Sequence, residues 1–397
     1  MSKTVVLGVS GGIAAYKALD LVSKLKKKDI DVHVIMTDSA TKFVTPLSFQ
    51  SLSQNQVIVD MFAEPKSWEI QHVSLADKAD VFAVVPATAN VIGKVANGIA
   101  DDMLTTTIMA TKAPVLFAPA MNVHMYENKI VQRNISFLKE MGYYFVDAVE
   151  GRLACGYNGK GKLNDINTIL DYIEMLLCKK KDLKGKKVLI TAGPTVEDID
   201  PVRFISNRSS GKMGYAIARA ARNRGAEVTL ITGPTNLQPP VCVNVVPVKT
   251  AEQMYNAVME HFKDVDIAIK AAAVADYRPE TISNVKIKKN DEDLLIKLVK
   301  NKDILYDIGK LKTNQLLVGF AAETNDLLSN ASIKLQNKNL DMIVANDVTM
   351  ENAGFNYDTN TVKIIKGDGQ VIQLPNMLKQ ELADIILNYI IELKIKR

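Results

Sequence analysis

The sequence predicts an α/β protein of two domains, each built on a largely parallel sheet with helices on both faces. The chain has 397 residues, which exceeds the roughly 100 to 200 residues of one compact domain. A basic stretch at 178–187 interrupts the apolar periodicity near the middle of the chain. On each side of it, short β-branched runs alternate with helical patterns, as in βαβ units. We therefore expect a flavodoxin-like or Rossmann-like domain in each half.

The predicted domains span 1–180 and 186–397. Each begins with a buried strand that leads through a Gly-containing turn to a helix. In the first half, strands are expected at 3–9, 32–36, 81–85 and 115–118, with helices at 14–28 and 123–139. In the second half, strands are expected at 187–191, 228–231, 267–271, 318–321 and 342–345. Ligands in such sheets bind at the carboxyl ends of the strands, so the segments that follow these strands are the candidates for chemistry.

Composition and charge narrow the function classes. Hydrophobic residues make up 47% of the chain and charged residues 23%, which excludes a disordered or low-complexity protein. The net charge of +5 is a mild excess, and with one Trp it does not predict a nucleic-acid platform. No apolar run reaches the ~18 residues that span a bilayer. We expect neither nucleic acid nor membrane as a partner.

The cysteines favour a reducing compartment. Cys155, Cys178 and Cys242 lie far apart in sequence and form no Cys-x-x-Cys pair. This spacing disfavours both a disulfide framework and a zinc site. The expected location is the cytoplasm.

Three segments of the first half follow predicted strands and carry ligand-type residues. They are Ser10-Gly11-Gly12, the run from Pro86 through Thr88 to Asn90, and the run 118–125 with Asn122 and Met125. The first segment alone is equally consistent with a plain strand-to-helix turn, because its spacing is not Gly-x-Gly-x-x-Gly. In this order, the three resemble the homo-oligomeric flavin-containing cysteine decarboxylases, in particular phosphopantothenoylcysteine decarboxylase. The resemblance implies that FMN is bound by Ser10, Gly11, Gly12, Thr37, Pro86, Thr88 and Asn90.

The same resemblance implies the catalytic residues of this half. His72 matches the catalytic histidine, although a lone histidine is more often a helix cap or a half-buried residue. Asn122 matches the asparagine that holds the substrate carboxylate, with Met125 beside it. A helix N-cap is the alternative for Asn122, and both roles are compatible. Cys155 lies in the Gly-rich segment 150–161, predicted as a mobile loop without regular structure, and matches a flap cysteine that donates a proton.

The implied reaction oxidises the cysteinyl thiol side of the substrate to a thioaldehyde. The C=S group then delocalises the electron density left when CO2 departs, and the resulting enethiol is reduced. A simple amino-acid carboxylate has no such electron sink, which explains why a decarboxylase of this kind needs a flavin.

The second half carries a phosphate-binding pattern that is not a P-loop. Gly211-Lys212 invites that interpretation, but Ser206 replaces the upstream glycine and Met213 stands where Ser or Thr should bind magnesium. The turn at 209–214 can still present N–H groups to phosphate. Together with the segments at 271–277, 286–289, 300–305, 319–324 and 346–347, it resembles phosphopantothenate cysteine ligase.

Both halves together resemble the bifunctional bacterial coenzyme A biosynthesis proteins over essentially the whole chain. The resemblance implies that CTP converts 4'-phosphopantothenate to an acyl cytidylate, and that the amine of L-cysteine then displaces CMP. Decarboxylation of the product gives 4'-phosphopantetheine. It also implies a homo-oligomer of trimeric decarboxylase units and dimeric ligase units, up to a dodecamer. The sequence leaves open whether the nucleotide is CTP or ATP.

The ligase resemblance assigns a further set of residues. Asn207 would handle the acyl carbonyl with Arg203 nearby, and Lys286 would meet phosphate charge. Asp276 would also hold Mg2+. The implied nucleotide-binding residues are Ala271, Ala272, Ala273, Asp276, Lys302, Asp303, Ile304, Leu305, Phe320, Lys334 and Lys338. A solvated basic face is the alternative for 286–289, whereas Lys334 and Lys338 at i, i+4 repel each other unless an anion lies between them.

Two other functions remain as alternatives at this point. A flavoprotein decarboxylase of peptidyl cysteine would share the first half but lacks the second. A regulatory flavin-binding subunit would keep the flavin motifs without the chemistry. The joint presence of His72, Asn122 and Cys155 favours an enzyme over that subunit.

Overall fold

The computed structural model describes residues 3–63, 70–152, 158–289, 294–323, 327–347 and 357–395. The chain divides into two compact units, Met1–Lys179 and Lys180–Arg397. Each unit is an α/β sandwich with its own sheet, which confirms the predicted fold class. No helix of the described ranges is long and apolar enough to cross a membrane.

The first unit is built on a five-stranded parallel sheet in the order β2-β1-β3-β4-β5. This is the flavodoxin-like order. The sheet strands are β1 Thr4–Val9, β2 Asp31–Met36, β3 Val81–Ala87, β4 Val115–Pro119 and β5 Tyr144–Phe145, and a separate hairpin consists of β6 Val149–Arg152 and β7 Asn158–Lys162. The helices are a 3-10 turn at Ile13–Tyr16, α1 Lys17–Lys26, α2 Asp38–Thr41, α3 Pro46–Ser53, α4 Gln71–Lys78, α5 Ala89–Ala96, α6 Met103–Ala110, α7 Val123–Glu127, α8 Lys129–Glu140 and α9 Ile166–Leu177.

Both faces of this sheet are covered, which is why its strands are near-continuous apolar runs. Val5, Leu7 and Val9 of β1 pack in the cluster that contains α1, α3 and α9. Val6 points to the opposite face, where α4, α5, α6 and α8 pack. The strand alternation therefore fixes which helices lie on which side.

Two elements of the first unit differ from the prediction. The helix expected at 123–139 is two helices, because Asn128 leaves the helical conformation and its side chain accepts the N–H of Ile130 at 2.9 Å. The segment 150–161, expected to lack regular structure, forms much of the antiparallel pair β6 and β7. That expectation was wrong for the two ends of the segment, which form paired strands. There the main-chain hydrogen bonds between the strands stabilise regular structure despite the many glycines.

The second unit contains an eight-stranded sheet in the order β12-β11-β8-β13-β16-β17-β19-β20. The first six strands are parallel, whereas β19 and β20 are antiparallel additions that the sequence did not predict. The strands of this unit are β8 Lys187–Ala192, β9 Val196–Asp198, β10 Phe204–Ser206, β11 Glu227–Thr232, β12 Asn244–Pro247, β13 Ile267–Lys270, β14 Tyr277–Pro279, β15 Leu298–Lys300, β16 Leu316–Glu323, β17 Met342–Asp347, β18 Thr359–Asn360, β19 Val362–Lys366, β20 Val371–Gln373 and β21 Met377–Leu378. The helices are α10 Lys212–Asn223, α11 Ala251–Phe262, α12 Ile304–Leu311, α13 Leu327–Asn337 and α14 Lys379–Ile395.

Helices cover this sheet in two sets. One apolar cluster joins α10 and α14 to one face, and a second joins α11, α12 and α13 to the other. The parallel strands end at one edge, where loops from both faces meet. That edge holds the candidate site of this unit.

The second unit begins with an internal ion pair. Leu183 is 1% exposed and its N–H donates to the carbonyl of Arg224. The guanidinium of Arg224, with a side chain 2% exposed, donates to both oxygens of Asp182 at 2.8 and 2.6 Å. Asp182 and Leu183 lie between the two predicted domain segments, and their contacts tie them to the second unit.

Candidate functional site

The first unit has a cavity of about 840 Å³ where its strands end. This volume suits a small-molecule or cofactor site. The residues predicted for flavin or substrate that line it are Ser10, Gly11, Gly12, Thr37, Thr88, Asn90, Asn122 and Met125. The topology thus brings together the three segments that the sequence analysis selected.

The Ser10 hydroxyl makes two hydrogen bonds within the protein. It donates to the carbonyl of Pro86 at 2.7 Å and accepts the N–H of Thr88 at 3.0 Å. The residue is 1% exposed. Its side chain therefore joins the ends of β1 and β3 at the cavity wall. Pro86 takes part as the acceptor and does not line the cavity.

Gly11 and Gly12 supply main-chain donors at the same place. Within the described ranges, their N–H groups have no hydrogen-bond acceptor. A Cβ on Gly11 would lie 2.4 Å from Cβ of Ser39 and 2.9 Å from its carbonyl carbon. Glycine is therefore required for the two loops to approach closely. The resulting pair of N–H groups fits an anionic group such as a flavin phosphate.

Asn122 is a helix cap and also lines the cavity. Its Oδ1 accepts the N–H of His124 at 2.9 Å, which starts α7. The β6–β7 hairpin packs on this loop, because the N–H of Met121 donates to the carbonyl of Gly161 at 2.9 Å. A Cβ on Gly161 would lie 2.5 Å from the carbonyl oxygen of Met121. Main-chain contact thus fixes the hairpin against the asparagine loop.

Lys94 and Asp102 line the cavity as well, and the sequence analysis gave them no role. Lys94 Nζ lies 2.6 Å from Asp101 and 3.2 Å from Asp102. The hydrogen bond to Asp101 is the main cause that raises the pKa of Lys94. Both residues lie in the run 94–104. The signal available in the sequence was a lysine followed within that run by two adjacent acidic residues.

Two predicted catalytic residues of this half are not found in the described cavity wall, for different reasons. His72 lies in the first turn of α4, partly exposed, and is absent from the cavity wall. Cys155 lies outside the described residues. The hairpin on which Asn122 packs leads directly into that segment.

The second unit has a cavity of about 730 Å³ at the carboxyl edge of its sheet. The predicted residues that line it are Asn207, Ala271, Ala272, Ala273, Asp276, Lys302, Asp303, Ile304, Leu305, Phe320, Lys334 and Lys338. The turn at 209–214 lines it too. Residues from five separate segments of the chain therefore meet in one wall.

Hydrogen bonds hold the alanine run in place. The hydroxyl of Thr191 accepts the N–H of Ala272 at 3.2 Å, and that of Thr195 accepts the N–H of Ala275 at 3.0 Å. The side-chain amide of Asn207 donates to the carbonyl of Val274 at 3.0 Å. The ends of β8 and β13 and the asparagine loop thus form one rigid part of the site.

Cations dominate the opposite part of the wall. Lys334 Nζ donates to the carbonyl of Phe320 at 3.0 Å, and Lys338 pairs with Asp303 at 2.7 Å. Lys302 Nζ lies over the ring of Tyr255, 4.7 Å from its centroid. An excess of positive charge over a concave surface suits a polyphosphate.

The sequence analysis missed two further lysines of this wall, Lys270 and Lys379. Burial lowers the pKa of Lys270 to about 8, with a further contribution from Lys334. Burial likewise lowers the pKa of Lys379 to about 8, with a contribution from Lys212. A lysine inside an apolar strand was the signal for Lys270. Lys379 begins an ordinary helix, so nothing in its sequence context marks it.

Arg203 and Lys286, both predicted for this site, do not line the cavity. The guanidinium of Arg203 donates to Asp200 from Nε at 3.0 Å and from Nη2 at 2.6 Å. Lys286 is exposed. These residues lie on neighbouring segments, which are bonded to each other rather than to the cavity wall.

Asp276 is the predicted metal ligand. Within the described parts of the chain, no group of three or more His, Cys, Asp or Glu side chains could hold a metal ion. Mg2+, however, usually binds through one or two carboxylates together with substrate phosphates and water. An exposed Asp276 at the cavity fits that kind of site.

Comparison with known proteins gives matches over nearly the whole chain. The family model described as Flavoprotein matches residues 1–178, and the model described as DNA/pantothenate metabolism flavoprotein C-terminal domain matches 183–393. The coenzyme A biosynthesis bifunctional protein CoaBC of Bacillus subtilis is 52% identical over 98% of this chain and 97% of its own length. The protein of the same name from Escherichia coli is 44% identical over 98% and 97%. A crystal structure of the C-terminal domain of a CoaBC protein is 47% identical, with a TM-score of 0.48, over 55% of this chain and 100% of that one.

Proposed function

This chain belongs to the family of coenzyme A biosynthesis bifunctional proteins, and from that membership and its two cavities we propose a division of labour. The second unit joins 4'-phosphopantothenate to L-cysteine with CTP and Mg2+, and the first unit decarboxylates the product with FMN. The observation that carries the proposal is the convergence of each half's motif residues on its own cavity.

In the first unit, bound FMN supplies the electron sink that a simple amino-acid carboxylate lacks. The N–H groups of Gly11 and Gly12 would hold its anionic end. The Asn122 side chain caps α7 through Oδ1, so its amide group can donate to the substrate carboxylate. The β6–β7 hairpin packs on this loop and would carry Cys155 to the substrate as a proton donor once CO2 has left.

His72 would act in the cavity of a neighbouring subunit. It lies outside the cavity of its own chain, whereas the resemblance assigns it to catalysis in a homo-oligomer. A homo-oligomer in which α4 of one subunit reaches the flavin of the next satisfies both observations. We include trimeric decarboxylase units, dimeric ligase units and a cytoplasmic location in the proposal. Neither of the two described cysteines, Cys178 and Cys242, is in a disulfide.

In the second unit, the carboxylate of 4'-phosphopantothenate attacks the α-phosphorus of CTP, and pyrophosphate leaves. Asp276 would hold Mg2+ against the phosphates, and the lysines would offset the charge that develops on the leaving group. The cysteine amine then attacks the acyl carbon and CMP leaves with the bonding electrons, while the amine loses a proton. Asn207 would donate to the carbonyl oxygen in this second step.

Product analysis tests the ligase assignment directly. The protein is incubated with 4'-phosphopantothenate, L-cysteine, Mg2+ and either CTP or ATP. With CTP we expect CMP and pyrophosphate in equal amounts, matched by the sum of phosphopantothenoylcysteine and its decarboxylated product 4'-phosphopantetheine. AMP formation at a higher kcat/KM than CMP formation would contradict the nucleotide assignment.

Subunit complementation tests the shared decarboxylase site. His72→Asn and Asn122→Asp should each abolish CO2 release. When the two inactive variants are unfolded, mixed in equal amounts and refolded together, random assembly should restore about a quarter of the sites. Absence of any recovery in mixed oligomers would show that His72 and Asn122 do not serve one site from different subunits.

A further inference from the structure

Lys270 occupies an unusual position at the end of β13. Ile267 and Ile269 of this strand pack on the face covered by α10 and α14, and Ala268 packs on the face covered by α11, α12 and α13. Strand alternation therefore points Lys270 to the side of Ala268. There it lies at the carboxyl edge of the sheet, between Thr191 of β8 and Gly319 of β16, and lines the cavity.

The charged groups around Lys270 are unbalanced. Lys334 faces it from α13, Lys338 from just after that helix, Asp303 from the start of α12, and Asp276 from the loop after β13. Asp303 is already paired with Lys338 at 2.7 Å. Across the described chain, no carboxylate lies within ion-pair distance of Lys270 Nζ. At this position three lysines, Lys270 included, thus face two carboxylates. An anionic ligand would balance the excess positive charge.

We propose that Lys270 is a further nucleotide-binding residue of the ligase site, and that its ammonium group contacts the phosphate chain of the nucleoside triphosphate. This inference rests on the proposed ligase function.

The phosphate chain is the part of the substrates that suits this lysine best. An ammonium group has three donors and no acceptor, so it can donate to several phosphate oxygens at once. The edge of a cytosine also needs a partner that accepts a hydrogen bond, and an ammonium group cannot do so. The chain of a triphosphate carries more charge than the single phosphate of phosphopantothenate. Lys334 and Lys338, assigned to the nucleotide by resemblance, lie on the same face of the sheet.

Binding of a phosphate chain should also change the protonation of Lys270. Burial keeps its pKa near 8 in the free protein. A polyanion stabilises the ammonium form and raises that pKa. The protein should therefore take up a proton from solvent when the nucleotide binds above pH 8, where the phosphates themselves are fully ionised.

The test is calorimetric titration with CTP, CDP and CMP, without phosphopantothenate, so that no turnover occurs. Wild type is compared with Lys270→Met, which keeps the length of the side chain without its charge, and with Lys270→Arg, which stays charged at all pH values. Lys363→Met is the control, since Lys363 is a partly exposed lysine on β19 of the same sheet and lies outside the cavity wall. Repeating the titration at pH 8.5 in buffers of different ionisation enthalpy gives the proton uptake.

Lys270→Met should weaken CTP binding about 10- to 100-fold, the usual effect of losing a charged hydrogen bond, and CMP binding less. It should also remove proton uptake, and Lys363→Met should change neither. Lys270→Arg should keep CTP affinity without proton uptake. If Lys270→Met binds CTP as wild type does, or weakens CMP binding as much as CTP binding, the inference is wrong while the proposed function stands. If wild type binds no nucleoside triphosphate, the proposed ligase function itself falls.

Discussion

Arg203 holds the main-chain carbonyl of Ile287, to which its Nη2 donates at 2.7 Å. Asp200, the ion-pair partner of Arg203, accepts the N–H of the same residue at 3.1 Å. One ion pair therefore binds both main-chain polar groups of Ile287, the residue that follows Lys286. In this arrangement Lys286 is exposed and does not line the cavity wall.

Asp200→Ala should loosen that segment, because it removes the acceptor for the N–H groups of Val202, Arg203 and Ile287. We expect faster amide hydrogen exchange in a peptide that covers 283–289, measured by mass spectrometry without nucleotide. Glu280→Gln, which breaks an exposed ion pair with Lys297, serves as the control and should leave exchange there unchanged. Unaltered exchange in Asp200→Ala would show that the segment is held by other contacts.

Gly11→Ala should reduce flavin binding. The added Cβ meets the backbone of Ser39 at 2.9 Å, so the loops that hold Gly11 and Ser39 must separate. Strain of this kind typically costs ~1 to 3 kcal/mol, which corresponds to about 5- to 150-fold weaker binding. Gly93→Ala is the matched control, because its Cβ would meet nothing closer than 3.8 Å. The ratio of flavin to protein absorbance in purified samples measures the effect, and equal ratios in both variants would contradict it.

Asp182→Ala should destabilise the second unit. It leaves the guanidinium of Arg224 buried without its carboxylate partner. Breaking a buried pair from one side costs about 3 to 5 kcal/mol, and the partial exposure of Asp182 (26%) places the expected loss at or below the lower end of that range. Lys180→Ala removes an exposed partner of the same carboxylate and should cost no more than about 1 kcal/mol. Calorimetric unfolding of both variants measures the difference, and similar losses would refute the special role of Arg224.

Lys270→Met should stabilise the ligand-free protein at pH 7. Burial lowers the pKa of Lys270 from 10.5 to about 8, so the folded state holds the charged form at a cost of up to about 3 kcal/mol. Between pH 8 and 10.5 the unfolded chain binds the extra proton, and wild-type stability should rise with pH through that window. The advantage of Lys270→Met should shrink over the same window, while Lys363→Met should show no such trend. A difference that is constant with pH would contradict this account.

Sequence reasoning located the parallel strands well, because a strand buried on both faces is a continuous apolar run that few other elements imitate. It failed where polar contacts override the pattern. The side chain of Asn128 competes for a main-chain donor and splits a helix that apolar spacing alone continues. The antiparallel strands β19 and β20 were not predicted, although β19 contributes Val362 and Ile364 to the cluster on one face and Ile365 to the cluster on the other; a short apolar run of this kind does not by itself indicate a strand or its direction.

For the candidate sites too, sequence reasoning found some residues and missed or misplaced others. Residues in recognisable segments after strands were found, and in each unit the fold brings most of them to the wall of that unit's cavity. Lys270 was missed because its functional setting depends on lysines in and just after α13, which lie more than sixty positions away along the chain. Arg203 and Lys286 were assigned to a wall that they do not line. A motif indicates which part of the chain lies near a site, but it does not show which contacts that segment makes.

The contact between Gly161 and Met121 separates the base of the β6–β7 hairpin from its tip. A main-chain hydrogen bond docks the base, and Gly161 cannot be replaced without steric conflict. For protein engineering, this contact marks the positions to leave unchanged: a library aimed at substrate choice should keep Gly159 and Gly161 and both described strands, and place its variation elsewhere.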